Sequence, residues 1–134
     1  MSAPRVAAII AAAGSGERLG ADIPKALVQL GGRSLVEYAF AHLSPAVSEI
    51  VIAVPAESQK EFTSLFGESA RIVVGGATRS SSIQAALKEI SPDIDFILVH
   101  DAARPLASTA LVQRIIDQLI DRKSTRLNSS HTDI

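Results

Sequence analysis

Four short runs of Val, Ile, Leu and Ala constrain this chain more than any other feature. They cover Val6–Ala11, Ile50–Val54, Arg71–Val74 and Phe96–His100. Each is nearly continuously apolar rather than alternating, the pattern of strands in a sheet covered on both faces. Between them lie stretches with helical periodicity, at about Ser34–Leu43, Glu57–Phe66, Ser80–Ile90 and Ser108–Ile120. In the last, Leu111, Ile115, Leu119 and Val112, Ile116, Ile120 follow i, i+4, i+8 spacing and form one apolar stripe. Ser108 fits the N-cap of that helix. Strands alternating with helices make βαβ units with right-handed crossovers. The expected class is therefore α/β, a mostly parallel sheet with helices on both faces. Ala26–Leu30 is a candidate short extra strand, closed by the Gly31-Gly32 turn.

Composition removes several function classes. At 134 residues the chain fits one domain, able to bury roughly two-thirds of its unfolded surface. Hydrophobic residues make up 47% and charged residues 20%, a globular rather than a disordered balance. The longest apolar run, Val6–Ala13, falls well short of the ~20 residues that span a bilayer. A formal charge of −1 gives no electrostatic ground for a nucleic-acid partner. Without cysteine there is neither a disulfide framework nor a thiolate metal site, in keeping with a cytoplasmic location. The histidines, at 42, 100 and 131, have no metal-ligand spacing.

The stretch "VAAIIAAAGSGERLG", residues 6 to 20, admits three readings. As a secretory signal it has a basic start, an apolar run and small residues, but cleavage near Ala13 would remove the first parallel strand. As a dinucleotide fingerprint, Gly14, Gly16 and Gly20 give only G-x-G-x-x-x-G. Pro24 then interrupts the helix such a loop should open, and no acidic residue stands about 20 positions on. As a nucleoside-triphosphate loop, small residues Ala12, Ala13, Gly14 and Gly16 let backbone N–H groups approach phosphates. Arg18 and Lys25 then supply cations for the charge that develops as pyrophosphate leaves. Taken singly, most Arg and Lys are solvated surface cations. The third reading accounts for both the glycines and the charges.

"AAAGSGERLGADIPKAL" (residues 11–27) resembles the first signature of nucleotidyltransferases with a glycosyltransferase-A-like Rossmann fold. "GGATRSSSI" (Gly75–Ile83) and "VHDAARP" (Val99–Pro105) resemble the second and third signatures of the 2-C-methyl-D-erythritol 4-phosphate cytidylyltransferase family. The resemblance covers essentially all of residues 5–120. It implies transfer of CMP from CTP to 2-C-methyl-D-erythritol 4-phosphate, releasing pyrophosphate, in non-mevalonate isoprenoid biosynthesis. Ala12, Ala13 and Gly14, with Gly16 in the same loop, would offer backbone groups to CTP. Arg18 and Lys25 would stabilise the transition state at the α-phosphate. Gly76 and Ala77 would edge the cytosine pocket, Ser82 would hydrogen-bond the nucleotide, and Ala102 would touch it. Asp101 would bind hydroxyls of methylerythritol phosphate or ribose, and Arg104 would reach the substrate side. Two plainer readings stand beside these roles: an Asp101–Arg104 pair that stabilises its turn, and helix capping by one of Ser80–Ser82. His100 is read as structural, since an ionised phosphate nucleophile needs no general base. Mg²⁺ would be carried mainly by CTP. A homodimer is expected of the full-length family, with no nucleic-acid or membrane partner.

Residues 121–134, "DRKSTRLNSSHTDI", are polar and aperiodic. "DRKSTRLNSSH" resembles the in-frame translation of a sequencing-adapter oligonucleotide, a kind of segment to set apart from fold reasoning. The expected division is a nucleotidyltransferase domain over 1–120, an N-terminal portion of the family's chain, and a non-native, disordered tail over 121–134. Trimming that tail is expected to change nothing, and the chain as it stands is expected to lack turnover. The alternatives are a ribitol- or sugar-phosphate nucleotidyltransferase, or an inactive nucleotide-binding fragment.

Overall fold

The computed structural model of the chain describes residues 4–13, 25–102, 104, 108–123 and 131–133. Strands β1 (Val6–Ala11), β4 (Glu49–Val54), β5 (Arg71–Val74), β6 (Phe96–Asp101) and β7 (His131–Asp133) form one sheet in the order β5-β4-β1-β6-β7. Every pairing in it is parallel. β2 (Gln29–Leu30) and β3 (Arg33–Ser34) form a separate antiparallel hairpin. Its turn is Gly31-Gly32, with φ of +62° and +89°. Two consecutive positive φ values suit a two-residue hairpin turn and favour glycine.

The apolar strands divide their side chains between two cores, as the period of two requires. Val6, Ala8, Ile10, Ile50, Ile52, Val54, Phe96 and Leu98 pack with helices α1 (Leu35–Leu43), α2 (Gln59–Phe66) and α4 (Thr109–Lys123). Ile9, Val51, Ala53 and Val99 face the other way, onto Ala86 and Ile83 of α3 (Arg79–Leu87). Ile10, Ile52 and Leu98 are wholly buried, and burial of each such side chain contributes about 1.5–3 kcal/mol. The sheet thus carries helices on both faces.

Local chemistry sets where the helices start and stop. Ser34 caps α1: its Oγ accepts from the Glu37 N–H at 3.3 Å, and Glu37 Oε1 accepts from the Ser34 N–H at 2.9 Å. This is a capping box. Val36, Ala39 and Leu43 then bury one stripe of that helix. Ser108 Oγ accepts from the Leu111 N–H at 3.1 Å, the N-cap contact expected of it. Thr109 Oγ1 donates to the His42 carbonyl at 2.9 Å and ties α4 to α1. α2 stops at Gly67, whose φ is +55°.

Several expectations differ from these observations. Of the expected strand Ala26–Leu30 only Gln29–Leu30 is a strand, after the 3-10 turn Lys25–Leu27. The helix expected from Glu57 begins as a 3-10 turn, Ala56–Ser58, and turns α-helical at Gln59. α3 ends at Leu87, three residues before Ile90. Its N-cap is Thr78, and Ser81, one of the three serines expected to cap it, completes the capping box by accepting from the Thr78 N–H. α4 runs on to Lys123, and β7 pairs with β6 inside the segment expected to lack regular structure. The open edge of β6 presents N–H and C=O groups that a polar segment can satisfy as well as an apolar one. The pairing of β7 bears on the trimming expectation as well, since removing β7 would uncover that edge.

From β1 the chain moves outward to β4 and β5, then crosses back over the sheet through α3 to β6 on the far side of β1. The strand order reverses between β1 and β6. In open α/β sheets such a reversal leaves a crevice beyond the carboxyl ends of the strands, where ligands bind.

Candidate nucleotide site at the strand ends

Three segments continue the sheet by one residue past its strands and meet at this crevice. The Ala12 N–H donates to Ala53 O at 2.8 Å, Ala102 N–H to Ala11 O at 2.9 Å, and Gly75 N–H to Val54 O at 2.9 Å. Ala12, Ala13 and Ala102 are buried. At these rim positions nothing larger than a methyl group stands on the backbone.

Close approach explains the paired glycines after β5. A Cβ on Gly75 would lie 2.6 Å from the Cβ of Ala13 and 2.6 Å from Ser82 Oγ. The first and second motifs are therefore in contact through a position that admits no side chain. A Cβ on Gly76 would collide with Ser81 Oγ and lie 2.6 Å from its Cβ. Ser81 cannot easily yield. Its Oγ accepts from the Thr78 N–H at 3.0 Å and donates to the Thr78 carbonyl at 3.0 Å, while its own N–H donates to Thr78 Oγ1 at 3.1 Å. Ser82 is 1% exposed. Its Oγ accepts from the Gly76 N–H at 3.1 Å and donates to the Thr78 carbonyl at 2.9 Å. One acceptor lone pair remains on that hydroxyl, so Ser82 braces the Gly76 loop and has little capacity left for a ligand. Ala77 is exposed beside it.

At the end of β6 a carboxylate meets two guanidinium groups. Arg79 Nε donates to Asp101 Oδ1 at 2.9 Å, and Arg104 Nε lies 3.3 Å from Asp101 Oδ2. The side chains of Arg79, Arg104 and Asp101 are 46%, 71% and 28% exposed. Pairs this exposed stabilise a fold by about 0–1 kcal/mol each. The turn is also closed through the backbone, where the Arg104 N–H donates to Asp101 O at 3.1 Å. His100, 1% exposed, has Nε2 at 3.2 Å from the Arg104 carbonyl. With the proton on Nε2 it donates there and holds the turn from beneath.

Ala12, Ala13, Gly76, Ala77, Ser82, Asp101, Ala102 and Arg104 all stand at this end of the sheet. Lys25 opens a 3-10 turn, Lys25–Leu27, anchored by the buried Ala26. Gly14, Gly16 and Arg18 lie outside the described residues. Sequence reasoning missed Gly75, Thr78 and Arg79. A double glycine directly after a strand was a usable signal for the first, and a lone cation within a serine run the only one for the last. No group of three or more His, Cys, Asp or Glu side chains gathers among the described residues. Among them, too, no helix is long and apolar enough to cross a membrane.

Known proteins match this arrangement. The family model of 2-C-methyl-D-erythritol 4-phosphate cytidylyltransferase matches residues 6–129, a range that ends inside the tail set apart above. A relative of that name from Frankia casuarinae is 42% identical over 123 residues, 90% of this chain and 46% of the relative. One from Deinococcus radiodurans is 42% identical over 118 residues, covering 88% and 48%. The crystal structure of 4-diphosphocytidyl-2C-methyl-D-erythritol synthase from Anaerococcus prevotii superposes with a TM-score of 0.74 at 28% identity. It covers 87% of this chain and 52% of that one. The chain spans about half the length of the curated relatives it matches. It belongs to the 2-C-methyl-D-erythritol 4-phosphate cytidylyltransferase family.

Proposed function

We propose that this chain carries the nucleotide-binding half of an enzyme that transfers CMP from CTP to 2-C-methyl-D-erythritol 4-phosphate. The products would be 4-diphosphocytidyl-2-C-methyl-D-erythritol and pyrophosphate. The observation that carries the proposal is the convergence of all three motifs on the crevice between β1 and β6. An acceptor phosphate oxygen attacks the α-phosphorus in line and forms the new P–O bond. The bond from that phosphorus to the β-phosphate's bridging oxygen breaks, and pyrophosphate leaves with the electron pair.

Backbone groups at Ala12, Ala13, Gly14 and Gly16 receive the nucleotide. Gly76 and Ala77 edge the cytosine, with Ser82 fixing their loop, and Ala102 floors the site. Arg18 and Lys25 oppose the charge that grows on the leaving group, the largest catalytic contribution open to such a reaction. Asp101 and Arg104 face the hydroxyl-bearing substrate. A resident metal centre does not fit the described residues: their acidic groups do not cluster, and both Asp101 oxygens already meet guanidinium groups. Mg²⁺ therefore enters with the triphosphate, as is usual for this ion, and no protein residue is assigned to it. A cytoplasmic location and a homodimeric full-length enzyme belong to the same reading.

Isothermal titration with Mg²⁺ present tests the proposal. CTP should bind more tightly than UTP, ATP or NAD. A preference for NAD would restore the dinucleotide reading of the glycine loop and end this one.

A further inference from the structure

We propose that Arg79 is a positioning residue, holding the Asp101 carboxylate across the crevice so that its remaining lone pairs meet the vicinal hydroxyls of a substrate. The inference rests on the reading above that Asp101 contacts such a substrate. Arg79 and Asp101 are 22 residues apart in sequence and belong to different motifs. Only the crossover of α3 over the sheet brings them together. Arg79 is the first residue of α3, directly after the Thr78 cap, so its backbone is fixed by the capping box and by the two crowded glycines. Its bond to Asp101 uses Nε, the side-on donor of the guanidinium plane, at 2.9 Å.

The two carboxylate oxygens are divided between the two arginines. Arg104 reaches Oδ2 from three residues along the same turn and moves with it. Arg79 reaches Oδ1 from across the sheet and sets where the carboxylate points relative to the nucleotide loop. A carboxylate offers about four lone-pair sites, so each oxygen can accept one more hydrogen bond while keeping its arginine. Hydroxyl groups can supply that bond, whereas phosphate oxygens cannot donate and are repelled. The ligand chemistry is thus a vicinal diol, which both ribose and the methylerythritol chain carry. An exposed pair of this kind adds little to stability, so its effect should appear in binding.

Titration of the chain with CTP, with 2′,3′-dideoxy-CTP, and with methylerythritol phosphate over a non-hydrolysable CTP analogue tests the inference. Arg79→Gln should raise Kd about tenfold for the ligand whose diol Asp101 accepts, with the unfolding midpoint nearly unchanged. A ribose contact shows as weaker CTP binding with dideoxy-CTP unaffected, and an acceptor contact as weaker methylerythritol phosphate binding. Arg79→Lys should recover only part, because an ammonium lacks the side-on Nε–H. In an Asp101→Asn background, Arg79→Gln should cost nothing further. Unchanged affinities in Arg79→Gln would overturn the proposal. So would an equal added loss in the Asp101→Asn background, since Arg79 would then touch ligand itself. If Asp101→Asn alone changes no affinity, the Asp101 contact fails and this proposal with it. If the unsubstituted chain binds none of these ligands, the function proposal falls as well.

Discussion

Alanine at position 75 would place a Cβ 2.6 Å from the Cβ of Ala13, 2.6 Å from Ser82 Oγ and 3.0 Å from Ser82 Cβ. Comfortable carbon–carbon contacts lie at ~3.5–4.0 Å, so something must move by about an ångström. Ala13 has no rotamer to change. Ser82 is buried and its hydroxyl is held by Gly76 and Thr78. The backbone of residue 75 is itself tied to Val54. Overpacking of this kind costs about 1–3 kcal/mol. The φ of Gly75 is not positive, so no left-handed strain is added, and stiffening the unfolded chain returns roughly 0.4–1 kcal/mol. Gly75→Ala should therefore lose about 1–2 kcal/mol, read from urea unfolding followed by circular dichroism. Ala13→Gly removes the opposing methyl. Combined with Gly75→Ala it should show a favourable coupling of about 1 kcal/mol in a double-mutant cycle. Gly75→Ala at parental stability, or a coupling near zero, would refute the claim that these two motifs touch through this point.

Ser34→Ala removes the hydroxyl half of the α1 capping box and should cost about 1 kcal/mol, seen as a lower urea midpoint with an unchanged slope. An unaltered midpoint would mean that water replaces the cap without loss. Deleting residues 124–134 takes away β7 and uncovers the outer edge of β6. Light scattering after size exclusion should then report more association than for the whole chain. A deletion variant as monodisperse as the parent would show that β7 does not protect that edge.

Strand positions were largely legible because burial on both faces leaves an unbroken apolar signature, and β1 and β5 match the sequence reading residue for residue. β4 and β6 each extend by one acidic residue, Glu49 and Asp101. Backbone pairing continues there although the side chain is no longer apolar. The end of α3 was misjudged because Ile90 packs onto the core without being helical, and periodicity registers packing rather than hydrogen bonds. Which of the three serines shares in its cap was not legible, because all fit the role equally by residue type; Ser81 does so, from the N3 position. The chain enters from two crowded glycines and reaches the extended φ and ψ of a cap already at Thr78. The Arg79–Asp101 bond could not be read at all. A cation in a serine run looks solvated until a crossover of the whole sheet delivers its partner. β7 has no apolar signature, and its backbone pairing is set by the strand edge beside it.

The two faces of the sheet are anchored very unequally. α1, α2 and α4 share one large core with aromatic rings in it, whereas α3 lies through Ala86 on a thin layer of Ile9, Val51, Ala53 and Val99 with a few flanking aliphatics. Little apolar area opposes the detachment of α3, so its opening free energy should fall below that of global unfolding. That helix carries Ser82 and Arg79, while Asp101 ends β6 and Ala12 and Ala102 directly follow β1 and β6. The crevice is thus a seam between a firm layer and a loosely held one. A ligand that touches both walls would be bound and, by the same contacts, would fasten the weaker layer to the stronger.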